Sequence, residues 1–234
     1  MDRLAYLLED QELMSRAKNY FAWQGRLVLP ELGRRVVEVG CGIGNFTGAL
    51  LDRELVVAVD NEESCIERLR KRYPERANLH AIVTKAETDE FAALARLEVD
   101  SCICLNVLEH IEDDTQALTR MRSILVPGGV IVLLVPAFQT LYGPIDEKLG
   151  HHRRYDRPDI SRLAKSVGLV VRKAHYVNLA GFFGWWVNSR ILRREIQSSA
   201  QIEVFDRYIV PLVSRLEAIV PPPFGQSLFA VLVR

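Results

Sequence analysis

Val36-Val37-Glu38-Val39-Gly40-Cys41-Gly42-Ile43-Gly44-Asn45-Phe46 is the stretch that decides the fold. An apolar run enters three glycines spaced at every second residue, and a new element starts directly after them. The pattern reads as strand, tight turn and helix. Glycine accepts positive φ and allows a ligand to approach the backbone, while a helix start leaves N–H groups unpaired. The spacing is G-x-G-x-G. Nicotinamide-binding folds use G-x-G-x-x-G, and here Asn45 stands where their last glycine would fall.

Outward from this turn, strands and helices alternate. Residues 35–39, 55–59, 80–83, 101–105 and 130–135 read as strands, and 46–52, 62–72 and 114–125 as helices. Pro127-Gly128-Gly129 ends the last helix and opens the fifth strand. The strands lack polar alternation, as expected for a parallel sheet covered on both faces, and right-handed βαβ units are the economical way to connect them. Upstream, residues 12–24 read as one helix with an irregular apolar face of Leu13, Ala17, Tyr20, Phe21 and Trp23. Downstream, 169–177 and 227–233 read as strands on either side of helical, aromatic material. The expected fold is therefore α/β: a Rossmann-like, seven-stranded mixed sheet with an antiparallel last strand and a helical insertion before it. The divisions are an N-terminal helical cap at 1–33, a cofactor-binding core at 34–177, the insertion at 178–224 and a final strand at 225–234.

Composition narrows the function. The 234 residues fit one domain, and 30 basic side chains balance 30 acidic ones, so no global field attracts nucleic acid. Cys41, Cys65, Cys102 and Cys104 form no C-x-x-C pair and no zinc-finger spacing, so no metal site is expected. Cys102 and Cys104 alternate in an apolar run and read as small core residues. The N-terminal residues lack a signal-type apolar core, and no run of ~18 apolar residues occurs. The expected location is a reducing cytosol.

The second strand ends in Asp60, twenty residues after Gly40. A carboxylate there can accept hydrogen bonds from both ribose hydroxyls of an adenosine. Together, Glu38–Thr47, Val59-Asp60-Asn61, Leu105-Asn106-Val107-Leu108-Glu109-His110-Ile111 and Val126-Pro127-Gly128-Gly129 resemble, in order, the motifs of the class I S-adenosylmethionine-dependent methyltransferases. The resemblance covers about residues 20–177. It implies S-adenosyl-L-methionine as cofactor. Gly40, Cys41, Gly42 and Gly44 would lie under its methionyl part, and Glu38 would support the ammonium. Asp60 would hold the ribose, Asn61 would lie against the adenine, and backbone at Leu105 and Asn106 would approach the amine. His110 would lie near the cofactor rim or the substrate mouth. One departure stands out. Where the family often shows Asp-Ala after the third strand, this chain has Lys85-Ala86-Glu87. Lysine has no acceptor for the adenine amine, which leaves backbone contacts at Ala86 or a substitution by Glu87.

The acceptor side is expected beyond the fifth strand, at residues 136–155, because ligand crevices open past the carboxyl ends of such strands. His151, His152 and Tyr155 are candidate catalytic residues there, together with His110. Arg153 and Arg154 suit a carboxylate or phosphate. The alternative pairs these arginines with Asp156 or Asp159 and leaves the histidines to cap the following helix. In the insertion, Phe182, Phe183, Trp185 and Trp186 precede Arg190, Arg193 and Arg194. Three readings compete for it: core or homodimer interface, a lid over a lipophilic acceptor, or an interfacial helix touching a membrane surface through 178–194. The tail pattern, including Pro221-Pro222-Pro223-Phe224, resembles a bacterial branch of small-molecule methyltransferases. The function implied is methyl transfer to a small acceptor, lipophilic or acidic, by direct in-line displacement, with O-, N- and C-methylation all open. The rivals are an inactive nucleotide-binding module on the same fold and a nicotinamide-dependent oxidoreductase.

Overall fold

The computed structural model describes residues 3–192 and 199–234, with side chains from Leu7 onward. Arg193 and Arg194 lie outside the described residues. Seven strands form one sheet: β1 (Arg35–Val39), β2 (Leu55–Asp60), β3 (Leu79–Val83), β4 (Val99–Leu105), β5 (Leu125–Pro136), β6 (Val170–Val177) and β7 (Ser227–Val233). Their order is β3-β2-β1-β4-β5-β7-β6, and β7 runs antiparallel to both of its neighbours. The sheet is of the expected kind, with the antiparallel strand last in sequence.

Alternate residues of the central strands feed two cores. Val37, Val39, Ile131, Leu133 and Val135 face one side, with Leu228, Ala230 and Leu232. Val36, Val130, Val132 and Leu134 face the other, with Phe229 and Val231. Covered on both faces, these strands have no place for polar alternation. β3 and β6 depart from this, since they are the edge strands and most of their residues are half-buried or exposed. The helices are α1 (Arg3–Met14), α2 (Lys18–Val28), α3 (Glu63–Arg72), α4 (Asp89–Ala92), α5 (Asp114–Ile124), α6 (Pro144–Leu149), α7 (Arg157–Ser166), α8 (Leu179–Trp186), α9 (Ser199–Val204) and α10 (Val210–Ile219). Each of Leu118, Met121 and Ile124 on α5 is fully buried in the first core, a burial worth about 1.5–3 kcal/mol per side chain.

Three expectations about local structure need correction. The single helix at 12–24 is two helices. The chain turns at Ser15–Ala17, where Lys18 N–H donates to Arg16 O at 2.9 Å and Ala17 is buried. That turn lays α1 over the carboxyl ends of the strands while α2 packs Trp23 and Val28 into the second core. The segment after the glycine turn is a 3-10 turn, Thr47–Leu50, rather than an α-helix. Only a few residues separate it from the bend into β2, and i→i+3 bonds close in less chain. Pro127-Gly128-Gly129 does not precede the fifth strand but lies within it. Leu125 pairs with Val99 and Val130 with Ser101, so the extra residues form a bulge.

The insertion is a helical hairpin. α8 continues into a π-helical turn at Val187–Ile191, and α9 joins α10 through another at Phe205–Ile209. Pro211 follows the second turn and has no N–H to continue the regular ladder. Polar pins hold the hairpin down. Glu217 accepts from the Asn178 and Leu179 N–H groups at 2.9 and 2.8 Å. Asp206 accepts from Tyr20 N–H at 2.8 Å in the first turn of α2, where a carboxylate suits the helix dipole. The outer face shows Phe183, Trp186, Tyr208, Leu212, Leu216 and Ile219 to solvent. No helix among the described residues is long and apolar enough to cross a membrane.

Candidate active site

The carboxyl ends of β1, β2, β4 and β5 open into a cavity of about 1150 Å³, lined there by Val39, Asp60, Leu105 and Pro136. Small-molecule sites span roughly 300–1,000 Å³, so this cavity is slightly larger than a single such site. The cavity has two ends of different chemistry.

At the first end, Gly40 and Gly42 take φ of 70° and 52°. The conformation alone favours glycine, and packing adds to it, firmly at Gly40 against the branched Val107 and less so at Gly42, where the flexible end of Gln11 would have to move. A Cβ on Gly40 would sit 2.3 Å from Val107, and one on Gly42 would sit 2.3 Å from Gln11 Oε1. Asp60 is nearly buried and accepts from Gly42 N–H at 2.8 Å and from Glu62 N–H at 3.0 Å. Each carboxylate oxygen keeps a further lone pair for a ligand hydroxyl. Burial raises the Asp60 pKa, against the pull of these N–H groups. Glu38 lies behind the turn and accepts from Thr47 Oγ1 at 2.6 Å. Burial pushes it up to about 8, with the Thr47 bond opposing and the nearby Asp60 adding to the rise. It awaits a cation. Asn106 holds φ of 54°, and its N–H donates to Leu134 O.

The second end is built from residues 105–110 and 136–155. Asp146 on α6 is fully buried and accepts twice from Arg154, Nε at 2.9 Å and Nη2 at 3.1 Å. It also lies 2.7 Å from His151 Nδ1. Burial works against the ionised form, but the His151 bond and the Arg154 charge outweigh it and hold Asp146 below the usual carboxylate range. His151 Nε2 turns to Glu109 Oε1 at 4.0 Å, and the rings of His110 and His151 meet edge to face at 4.6 Å. Glu109 is raised to about 7 by burial, with His151 opposing. The hairpin closes this end with Trp185, whose ring carries the Arg154 guanidinium at 4.7 Å, and with Asn188, Phe205 and Ile209.

Of the residues singled out in the sequence, Glu38, Gly40, Cys41, Gly42, Asp60, Asn61, Asn106, His110 and His151 line the cavity together. Others do not. Gly44 faces α3, with Tyr73 Oη donating to its carbonyl at 3.1 Å. Ala86 is buried in the first core, and neither it nor Lys85 nor Glu87 lines the cavity; Asn61, Glu62 and Cys65 form that wall instead. Tyr155 is a packing residue, because its hydroxyl is buried against Leu108 O and Asp114 and burial pushes its pKa up. The exposed His152 gives its N–H to Glu109 O. The arginines do pair with acids, but with others than expected: Arg153 with Asp114 and Arg154 with Asp146. Asp156 and Asp159 instead form a capping box on α7. Sequence reading missed Gln11, Glu109 and Asp146. Glu109 sat inside a quoted motif, beside His110, and Asp146 lay five residues before His151.

Residues 37–133 match the family model described as methyltransferase domain. Over that stretch, and in its fold, the chain is similar to the class I S-adenosylmethionine-dependent methyltransferases. It is 35% identical over 115 residues to trans-aconitate 2-methyltransferase of Variovorax paradoxus, covering 47% of this chain and 41% of that enzyme. The chain spans about half, or less, of the length of the leading curated relatives it matches. Among solved structures it resembles a SAM-dependent methyltransferase from Archaeoglobus fulgidus, with TM-score 0.66, 17% identity and coverage of 98% and 99% of the two chains. It also resembles the N-methyltransferase NodS from Bradyrhizobium japonicum, solved with S-adenosylhomocysteine, with TM-score 0.56, 15% identity and coverage of 94% and 86%. The cofactor of those methyltransferases is S-adenosylmethionine, and the residues at the first end would suit it: the buried Glu38 carboxylate could face an ammonium, the glycine turn would let the molecule lie against the backbone, and Asp60 has lone pairs left for ribose hydroxyls.

Proposed function

We propose that the chain transfers a methyl group to a small acceptor that is largely apolar and carries a polar reacting group. One cavity joining the two ends carries this reading. The cofactor supplies an activated methyl on a sulfonium, so the protein's share is alignment and exclusion of water. Glu38, Gly40, Cys41, Gly42, Asp60, Asn61 and Asn106 hold the cofactor side. The inner face of the 178–224 insertion acts as the acceptor lid, with Trp185, Phe205 and Ile209 supplying apolar area. Trp185 Nε1 and Asn188 Oδ1 are buried without partners among the described residues, and both belong to lining residues. An acceptor with a donor and an acceptor atom would satisfy them. His151, held by Asp146, is the residue of the histidine set best oriented to receive a proton from an attacking hydroxyl or amine.

The test is calorimetric binding of S-adenosylhomocysteine, followed by transfer of labelled methyl across a panel of apolar acids, phenols and amines. Asp60→Ala should weaken binding of that nucleoside by about 1–3 kcal/mol. Unchanged affinity would remove Asp60 from the site, and tight binding with no transfer to any panel member would leave only a binding module.

A further inference from the structure

We propose that Glu109, His110 and His151 bind one divalent transition-metal ion at the acceptor end of the cavity. Among the described residues they are the group of His, Cys, Asp and Glu whose ligand atoms converge, all within 4.8 Å of one another. Donor atoms around an ion at ~2.1 Å stand roughly 3.4 Å apart in a tetrahedron, so the set needs to contract by about an ångström. Two further observations point to a ligand. Glu109 is 1% exposed, lines the cavity, and its Oε2 has no hydrogen-bond partner among the described residues. A buried carboxylate oxygen left in this way is costly, and a cation would satisfy it. His151 is already oriented as a ligand. Its Nδ1 lies 2.7 Å from the buried Asp146 carboxylate, which leaves the Nε2 lone pair facing Glu109. A carboxylate behind a histidine in this manner fixes the tautomer of metal-binding imidazoles.

Two imidazoles and one carboxylate suit zinc, manganese, iron or cobalt better than calcium, which prefers an all-oxygen shell. Three protein ligands leave open positions on the side of the cavity. An acceptor hydroxyl held there would give its proton to water at a lower pH than in solution. Its oxygen lone pair would then form the new bond to the methyl carbon, while the carbon–sulfur pair stays on sulfur as a neutral thioether. This role rests on the methyltransferase reading, whereas the ion site does not, and with the ion bound it takes the place of proton acceptance by His151, whose Nε2 is then a ligand.

The experiment uses the full chain after treatment with chelator and exchange into chelator-free buffer. Zn2+, Mn2+ and Co2+ are added separately and followed by equilibrium dialysis, with the visible absorption of Co2+ as a second readout. S-adenosylhomocysteine affinity is measured on the same samples. The expected result is one ion per chain, a Co2+ spectrum of nitrogen–oxygen ligation, and a loss of ion affinity on the order of 100-fold in Glu109→Gln and in His151→Gln, with nucleoside affinity retained. Absence of saturable ion binding by the wild-type chain would overturn the site, whatever the variants do. Equal affinity in both variants would overturn it too. Nucleoside binding without ion binding would leave His151 as the proton acceptor itself. Ion binding without nucleoside binding would preserve the site and refute the methyltransferase reading.

Discussion

Replacing Glu38 by glutamine should uncouple cofactor binding from pH. Burial holds the Glu38 carboxyl at about 8 in the free protein. At pH 7 roughly nine chains in ten therefore carry it protonated, and ionising it costs about 1 kcal/mol. A methionyl ammonium beside it favours the charged form. Binding at pH 7 should then release close to one proton, and affinity should rise roughly tenfold from pH 6 to pH 7 before levelling off above pH 8. Calorimetry of S-adenosylhomocysteine in two buffers of different ionisation enthalpy measures the released proton directly. Glu38→Gln keeps a partner for Thr47 but has nothing to titrate, so both effects should vanish. The free protein should respond in the opposite sense. Its native state keeps a proton that the unfolded chain loses near 4.5, so the stability from this group declines as pH rises from about 4.5 to about 8. Wild-type binding that releases no proton and stays flat from pH 6 to pH 8 would refute both the placement of the ammonium and the buried-acid argument.

Other perturbations separate cofactor binding from architecture. Gly42→Val should abolish S-adenosylhomocysteine binding, because its Cβ would displace Gln11 from the turn and φ of 52° disfavours a branched side chain; retained affinity by calorimetry would remove the turn from the site. Asp146→Asn should cost about 3 kcal/mol or more in denaturant unfolding, since Arg154 would stay buried without its counter-charge. An unchanged midpoint would mean that the arginine finds another partner. Tyr155→Phe should lower stability by about 1 kcal/mol and leave methyl transfer intact, and a loss of turnover at normal stability would return Tyr155 to catalysis.

The sheet was legible in the sequence because its strands are short apolar runs bounded by turn residues, and the bounds of β1 and β7 coincide with the expected ones. The grouping of Gly40, Gly42 and Asp60 at one end of the cavity was equally legible, since they are fixed by local backbone requirements at the ends of two adjacent strands. The acceptor end was not. Glu109, Asp146, His151 and Arg154 meet only once the chain past β5 folds back over β4, and no spacing rule encodes that return. The arginines show the same limit: two candidate acids lay close by in sequence, but those residues were engaged in capping α7. α1 was misjudged because its turn at Ser15–Ala17, which is closed by local backbone bonds and buries Ala17, contains neither glycine nor proline to announce it.

Helix α6 is only six residues long, yet it serves as the keystone between two roofs drawn from opposite regions of the chain. Ile145 and Leu149 receive Leu7 of α1 on one side and Trp185 of α8 on the other, while Asp146 between them anchors His151 and Arg154. Loosening this one short helix would be felt by the α1 side of the cavity, by its α8 side and by the polar wall between them, all at once.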